Sequence, residues 1–172
     1  MLLPPLVHLD SEDAYYERFV ATYCSGNSII TWDGLPVVFY PEMFTHAFYK
    51  RKFRSWKAKK DSFDVSRGER VDWIKAVLED PSIVPYQGYN KATGTYDGSR
   101  RVAFLTPENY LVVIREDGEK WRFVTAYVVD NPSTASKILS SPIWKRAQKN
   151  RTVKTTVRQS VQDYWPPKAR AN

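Results

Sequence analysis

The first third of the chain changes from a helical to an extended pattern of hydrophobic positions. Residues 11–24, SEDAYYERFVATYC, carry acidic side chains in a first turn that Ser11 can cap, and they predict a helix. The segment that follows, SIITWDGLPVVFY, has β-branched and aromatic runs on both sides of Asp33-Gly34. Because this dipeptide favours a tight turn, the two runs predict a β-hairpin.

A second helix is predicted over residues 41–60, PEMFTHAFYKRKFRSWKAKK, which begin with a proline and contain no helix breaker. In such a helix the apolar side chains and the cationic side chains lie on different arcs. The cationic arc, roughly 80° wide, contains His46, Lys50, Arg54 and Lys57. Neighbouring cations make an imidazole harder to protonate, so we expect His46 to be a neutral base at pH 7.

The clearest helical pattern is SRGERVDWIKAVLEDP, residues 66–81. Ser66 and Glu69 have the spacing of a capping box, and Pro81 ends the pattern. The apolar stripe of this helix consists of Val71, Ile74 and Leu78. Two arginines occupy its first turn and a half, Arg67 and Arg70.

The second half of the chain predicts mostly strands. Residues 86–100, YQGYNKATGTYDGSR, are rich in Gly and Tyr without a clear period and predict a loop. Three strand patterns follow in quick succession, at residues 100–106, 110–115 and 120–129. The links between them are short turns, which predict an antiparallel meander. A final helix, capped by Ser133, is predicted at residues 134–149 and covers one face of the sheet.

These elements predict an α+β fold, with N-terminal helices followed by an antiparallel β-meander and helices packed on one side. Residues 1–150 form a single domain in this interpretation, and residues 1–35 contribute its first helix and the start of the hairpin. Residues 151–172 form a basic C-terminal tail with few apolar side chains. We expect this tail to become ordered only on a partner.

The charge of the chain adds a nucleic-acid partner to this picture. The 172 residues include 26 Lys and Arg against 19 Asp and Glu, which gives a net charge of +7. The first cationic cluster consists of Lys50, Arg51, Lys52, Arg54, Lys57, Lys59 and Lys60. The second consists of Lys145, Arg146, Lys149, Arg151, Lys154 and Arg158. Clustered cations beside aromatic residues are typical of nucleic-acid binding, although a solvated helix face and a basic tail have the same composition.

Several function classes lack their sequence signatures. There is no nucleotide-binding GxxxxGK[ST] or GxGxxG motif and no GxSxG nucleophile motif. His8 and His46 are not spaced as metal ligands, so neither a metal nor a cofactor is predicted. The single cysteine, Cys24, excludes an internal disulfide and fits a reducing compartment. No run of about 18 apolar residues predicts a membrane span, so we expect a cytoplasmic protein.

The last predicted strand carries two polar side chains on an aromatic surface. With regular alternation, one face of this strand consists of Trp121, Phe123, Thr125, Tyr127 and Val129. Thr125 and Tyr127 then lie two positions apart on the same face. Both residue types are also good strand formers, so the pair taken alone favours a structural role.

The sequence WRFVTAYVVD, which closes the meander, resembles the TAY signature near the end of many nucleases of the barnase–EndoU–colicin–RelE (BECR) type. The phage-associated branch is especially similar, because its upstream helix carries a histidine, as FTHAFYK does here with His46. A second, arginine-rich helix follows in that branch, as SRGERVDWIKAVLEDP does here. The resemblance covers residues 36–130. EndoU enzymes use two histidines, whereas only His46 is well placed in this chain.

This resemblance implies a metal-independent endoribonuclease that needs no cofactor. The ribose 2′-hydroxyl attacks the neighbouring phosphorus, and the product is a 2′,3′-cyclic phosphate. His46 is the expected general base, and Lys50 or Tyr127 the expected general acid. The charge on the phosphoryl oxygens would be met by Lys50, Arg70, Arg101 and Thr125. A splayed base would stack on Tyr127 or Trp121, and Arg54, Lys57 and Arg67 would bind the RNA backbone.

The leading interpretation is therefore a toxin of a toxin–antitoxin, phage or inter-bacterial conflict system. Its target would be tRNA, rRNA or mRNA, and its protein partner an acidic inhibitor or antitoxin that matches the basic face. The first alternative is a non-catalytic RNA- or DNA-binding module that uses the same cations and aromatic rings. The second is a structural or partner-binding protein whose basic tail only aids solubility.

Overall fold

The computed structural model describes residues 3–26, 28–51, 60–90, 92–105 and 107–146. Its helices are α1 (Glu12–Phe19), α2 (Met43–Phe48), α3 (Val65–Gly68), α4 (Trp73–Glu79) and α5 (Pro132–Leu139), and a single π-helical segment (Val20–Cys24) continues α1. Ser11 caps α1 as predicted, because its side chain accepts a hydrogen bond from the Ala14 amide at 3.1 Å. No helix in these described ranges is long and apolar enough to span a membrane.

The strands form one large sheet and one small one. Their bounds are β1 (Ile29–Ile30), β2 (Pro36–Val38), β3 (Tyr49–Arg51), β4 (Lys60–Phe63), β5 (Pro85–Asn90), β6 (Thr95–Leu105), β7 (Tyr110–Asp117) and β8 (Lys120–Val128). The 6-stranded sheet has the order β1-β2-β8-β7-β6-β5, and β3 and β4 make a separate 2-stranded sheet. All pairings are antiparallel except that of β2 with β8. The α+β class and the antiparallel meander are thereby confirmed.

The main core lies between helices α1 to α4 and one face of the large sheet. Phe19 of α1 is at its centre. The rings of Tyr23, Phe39, Phe44, Phe48 and Phe123 all have centroids between 5.3 and 6.3 Å from the ring of Phe19. Buried aromatic clusters of this kind supply large apolar areas, and they fix α1, α2 and the sheet relative to one another.

The predicted hairpin around Asp33-Gly34 is confirmed. β1 and β2 pair antiparallel, and Gly34 adopts a positive φ of 84° in the turn between them. A side chain at Gly34 would be strained in this conformation, which explains the glycine.

The long helix predicted over residues 41–60 is wrong, because α2 ends at Phe48 and the chain continues as strand β3. The carbonyl of Phe48 accepts a hydrogen bond from the Asp64 amide at 2.9 Å instead of from a further helical turn. Tyr49 packs against Phe63 across the β3–β4 pair, with ring centroids 5.9 Å apart. A continuous helix would also have set many like charges three and four positions apart, which is destabilising.

The helix predicted over residues 66–81 is split into α3 and α4. Three consecutive carbonyls at the split accept hydrogen bonds from tertiary donors: Glu69 from the Val7 amide, Arg70 from Tyr110 and Val71 from Tyr23. The predicted capping box does not form, since the Ser66 hydroxyl donates to Asp64 and Glu69 pairs with His8. The apolar stripe Val71, Ile74 and Leu78 is buried as predicted.

Residues 86–100 are not a loop, because they form most of β5 and the first half of β6. Gln87 pairs with Val102, whereas Gly88 pairs with Asp97, so the residues between these two partners bulge out of β6. The glycines and this long bulge conceal the alternation that would have indicated two strands.

The final helix is shorter than predicted and has a different cap. α5 ends at Leu139, and the side chain of Asn131, rather than Ser133, accepts hydrogen bonds from the first helical amides. Pro132 at the first helical position favours this start. α5 packs on the opposite face of the sheet from α1 to α4, where Ala135 meets Leu111 and Val129.

After α5 the chain returns to the outer edge of β5. Ile143 forms an isolated bridge with Tyr86, and the indole of Trp144 packs at right angles against Trp121 with centroids 5.5 Å apart. Arg146 Nη1 donates to the carbonyl of Asp33 at 3.4 Å. Trp144 and Arg146, which follow the β5 edge, thus contact β8 and the turn between β1 and β2 near the other edge of the sheet. These contacts require the sheet to be strongly curved.

We expect Gly68→Ala to destabilise the protein by about 1–3 kcal/mol, because overpacked sites cost this amount. A Cβ at Gly68 would lie 2.7 Å from Phe63 Cζ and 3.2 Å from Tyr15 Cδ1. The Phe63 ring cannot easily move, since Phe44 and Tyr49 also pack against it. Urea unfolding monitored by circular dichroism measures the loss.

The control is the same substitution in a Phe63→Leu background, where the clashing ring atom is gone. There Gly68→Ala should cost clearly less than in the wild type. If the two costs are equal, the close approach of α3 to the Phe63 ring does not restrain this part of the fold.

Candidate functional site

A β-bulge in β8 decides which side chains can form a site. Val113 of β7 pairs with Thr125, and Ile114 pairs with Phe123, so Val124 has no partner. An extra residue of this kind reverses the alternation beyond it. Trp121 and Phe123 face the core with Ala126, whereas Tyr127 lies on the opposite face with Leu111 and Val113. The predicted single face from Trp121 to Val129 is therefore wrong.

Trp121 is not available for base stacking in this structure. Only 7% of its surface is exposed, and its ring is packed against Trp144 in the core. Its backbone pairs with Val37 where β2 meets β8. The prediction that its ring stacks a base is wrong, and of the two rings proposed for that role only Tyr127 has a position that allows it.

Arg67 joins the two helices of the predicted site to the TAY strand. Its Nη1 donates to the carbonyl of Ala47 at the end of α2, at 2.9 Å. Its guanidinium carbon lies 5.2 Å from the centroid of the Tyr127 ring, which is a cation–π distance. α2 itself packs against β8, beside the short stretch where β2 pairs with that strand. The end of α2, the start of α3 and the end of β8 thus meet at one place.

Asp64 holds two of the predicted cations. Its Oδ2 lies 3.5 Å from Lys50 Nζ and 3.7 Å from Arg67 Nε, and its Oδ1 accepts from Ser66 Oγ at 2.8 Å. Partial burial alone would raise the pKa of this carboxyl, but the Ser66 hydrogen bond and the charges of Lys50 and Arg67 lower it overall. The carboxylate is therefore ionised at neutral pH and offsets part of the positive charge.

Tyr127 is half-buried, and burial raises the pKa of its phenol, although Arg67 opposes the rise. Like an ordinary phenol, Tyr127 carries a proton at neutral pH that it can donate. Thr125 is also half-buried and precedes Tyr127 by two positions on the same face of the sheet. The structure therefore places the two TAY side chains together, as predicted, although on the other side of the sheet from Trp121.

His46 lies on α2, immediately before the residue whose carbonyl Arg67 holds. It is exposed, while its neighbour Ala47 is fully buried. The apolar and polar sides of this helix are therefore divided as the sequence predicts. His46, Lys50, Arg67 and Tyr127 belong to elements that meet around the Arg67 side chain.

Arg70 does not join this group. Its guanidinium carbon lies 5.0 Å from the Trp73 ring on α4, and its Nη1 donates to the carbonyl of Ser66. Arg54 and Lys57 are outside the described residues. Arg101 belongs to β6, but its side chain is also outside the described part of the chain.

A cavity of about 700 Å³ lies between the second face of the sheet and α5. Tyr127 is part of its wall, and so are two tyrosines that the sequence analysis missed, Tyr89 and Tyr96. Lys137 of α5 also lines it. Both tyrosines belong to residues 86–100, the segment that the sequence analysis interpreted as a loop. Tyrosine is enriched in β-strands, and this tendency was the signal that could have indicated two strands here.

The described residues contain no group of three or more His, Cys, Asp or Glu side chains placed to hold a metal ion.

Comparison of the chain with protein-family models, curated proteins and solved structures finds no significant match. The resemblance to BECR nucleases therefore stays a prediction.

Replacing Asp64 tests how this carboxylate supports the site. Because its folded-state pKa is lowered, its stabilising effect is fully present above the unfolded value of about 4 and is lost as the pH falls below it. We expect Asp64→Asn to reduce the free energy of unfolding by about 1 kcal/mol at pH 7. The difference from the wild type should shrink between pH 5 and pH 3, roughly spanning that value.

Urea unfolding at several pH values measures this difference. Glu108→Gln is the matched control, since Glu108 is exposed in the turn between β6 and β7. A gap between Asp64→Asn and wild type that stays constant down to pH 3, about a unit below the ordinary value, would contradict the ion pairing described for this carboxylate.

Proposed function

We propose that this protein is a metal-independent endoribonuclease of the BECR type. The supporting observation is the placement of Arg67, which reaches from α3 across the end of α2 to the ring of Tyr127 on β8. It connects the three parts of the sequence that carry the resemblance: the histidine helix, the arginine-rich helix and the TAY strand.

The proposed reaction is an internal transfer at phosphorus. The imidazole of His46 removes the proton of the ribose 2′-hydroxyl, and the 2′ oxygen forms a bond to the adjacent phosphorus. The bond from phosphorus to the 5′ oxygen breaks, and that oxygen receives a proton from a general acid. The products are a 2′,3′-cyclic phosphate and a 5′-hydroxyl, and a positioned base or acid contributes about 10²–10⁴ in rate.

Tyr127 is the better of the two candidates for the general acid. Its phenol carries a proton at neutral pH, as phenols ordinarily do, and burial raises its pKa further. The ammonium group of Lys50 is instead paired with Asp64 at 3.5 Å. Lys50 and Arg67 retain one net positive charge after this pairing, which favours the charge that develops on the phosphoryl oxygens.

The hydroxyl of Thr125, on the same face as Tyr127, is the proposed further donor to those oxygens. Arg70 has a supporting role in this proposal, because its guanidinium is held over Trp73 rather than beside Tyr127. The resemblance implies a catalytic role for Arg70. The contacts of the Arg70 side chain instead favour a role in stabilising the start of α4.

The biological setting belongs to the same proposal. A nuclease of this kind acts as a toxin on tRNA, rRNA or mRNA in the cytoplasm, and an acidic inhibitor or antitoxin protects the cell that makes it. The net charge of +7 favours both an RNA substrate and an acidic protein partner.

The second candidate function is a non-catalytic RNA-binding module. The tyrosine-lined cavity beside Tyr127 favours it, because stacking on aromatic rings needs no proton transfer. The pairing of Lys50 and Arg67 with Asp64 is also compatible with a purely structural use of these cations.

An RNA cleavage assay in EDTA separates the two functions. We expect the wild type to cut total tRNA and rRNA and to leave 2′,3′-cyclic ends. His46→Ala should lower the cleavage rate by about 10²–10⁴, since it removes the base, and should leave RNA affinity nearly unchanged. Tyr127→Phe keeps the ring that Arg67 contacts and should lose rate without losing affinity.

The matched control is His8→Ala, which removes the chain's other histidine. His8 has 73% of its side chain exposed and pairs with Glu69, which has no role in the proposed reaction, so this variant should cut like the wild type. If RNA stays intact after incubation with the wild type, the nuclease proposal is rejected. Binding of that RNA without cutting then supports the non-catalytic RNA-binding module. Undiminished cutting by His46→Ala rejects the assignment of the base.

A further inference from the structure

The cavity on the second face of the sheet combines exposed aromatic rings with a cation. Its volume is about 700 Å³, within the range of roughly 300–1,000 Å³ that is usual for ligand sites. The apolar floor is formed by Leu111 and Val113 of β7, and one wall by Ile138 of α5. These contacts place it outside the main core, where α5 covers only part of the sheet.

Tyr89 and Tyr96 form an aromatic shelf at one end of this cavity. They are paired residues in the β5–β6 register, and their rings meet edge to face with centroids 5.5 Å apart. Although they contact each other, 51% of Tyr89 and 42% of Tyr96 remain exposed. Two large rings held side by side in contact with water offer flat surfaces for a planar ligand.

Helix α5 and its neighbours supply polar groups to the cavity. Lys137 lies in the last turn of α5, and its ammonium group makes no ion pair within the described part of the chain. Gln87, Thr134 and Ser141 also line the cavity. A cation within reach of an aromatic shelf is the combination that binds a base together with its phosphate.

Tyr127 connects this cavity to the candidate active site. It lines the cavity, and its ring is contacted by the guanidinium of Arg67. A strand of RNA with one phosphate beside Arg67 and Tyr127 could therefore continue along the sheet face toward the shelf.

We propose that Tyr89, Tyr96 and Lys137 form a subsite for an unpaired RNA base next to the cleaved phosphate, with the base on the tyrosine rings and a phosphate on Lys137. This inference rests on the proposed function in that it assumes an RNA ligand. It adds that the substrate is single-stranded at this position, because bases stacked within a duplex do not expose their faces.

The experiment measures binding with an RNA that cannot react. The probe is a fluorescein-labelled eight-nucleotide RNA with 2′-O-methyl riboses, which lack the attacking hydroxyl, and the same strand annealed to its complement is the duplex probe. Fluorescence anisotropy gives the affinity of the full chain. We expect Tyr89→Ala and Tyr96→Ala each to weaken single-strand binding by about 5- to 150-fold, the range expected for losing one stacked base.

Conservative and remote variants separate stacking from folding. Tyr89→Phe and Tyr96→Phe keep the rings and should bind like the wild type. Tyr40→Ala removes a tyrosine outside the cavity whose exposure, 40%, is close to that of Tyr96, and should change affinity less than 2-fold, a change of about 0.4 kcal/mol or less. Thermal unfolding of each variant establishes that the fold is retained.

Lys137→Gln tests the phosphate contact through salt dependence. We expect the slope of the logarithm of affinity against the logarithm of salt concentration to fall in magnitude by about 0.7, the value for one contact to a single strand. Tyr96→Ala, which removes no charge, should leave that slope unchanged.

The results separate this subsite from the nuclease. Loss of binding in the two Tyr→Ala variants supports the subsite even if unmodified RNA is never cut, in which case only the nuclease proposal fails. If the wild type cuts RNA but Tyr89→Ala and Tyr96→Ala bind the single strand as tightly as the wild type, the subsite proposal is overturned and the nuclease proposal stands. Equal affinity for single-stranded and duplex probes, or no binding at all, also overturns the subsite.

Discussion

Strand β8 packs against hydrophobic clusters on both of its faces, and the extra residue Val124 determines which side chains lie on each face. β8 packs Phe123 and Ala126 into the main core and presents Tyr127 to the opposite face. Without the bulge at Val124, regular alternation would put Phe123 and Tyr127 on the same side. The main core and the tyrosine-lined cavity, and with them the position of Arg67 over Tyr127, depend on this local change of register.

The end of α2 beside β8 is stabilised by an arginine side chain and a backbone amide rather than by a further helical turn. Arg67 satisfies the carbonyl of Ala47, and the Asp64 amide satisfies that of Phe48. A cation is favourable at a helix C-terminus, where the carbonyls are unpaired. The Asp64 carboxylate in turn holds Arg67 and Lys50, so one acid determines where two of the cations can reach.

Local patterns predicted the elements whose stability is local. The Ser11 cap, the Asp33-Gly34 turn and the meander were all found as expected, because capping, turn chemistry and β-periodicity act over a few residues. The helix predicted over residues 41–60 is wrong because the chain turns into β3 after Phe48, where Lys50 lies beside Asp64 and Tyr49 packs against Phe63. The bulge in β8 and the tyrosine shelf were missed because register belongs to the pairing of strands, which one strand's sequence does not contain.

The parallel pairing of β2 with β8 has a consequence for synthesis of the protein. Val37 pairs with Trp121, so the first hairpin can join the sheet only after β8 has left the ribosome. Contacts between such distant segments slow folding. The place where α2, α3 and β8 meet is therefore completed only once β8 is available, after the segments of α2 and α3 have been synthesised.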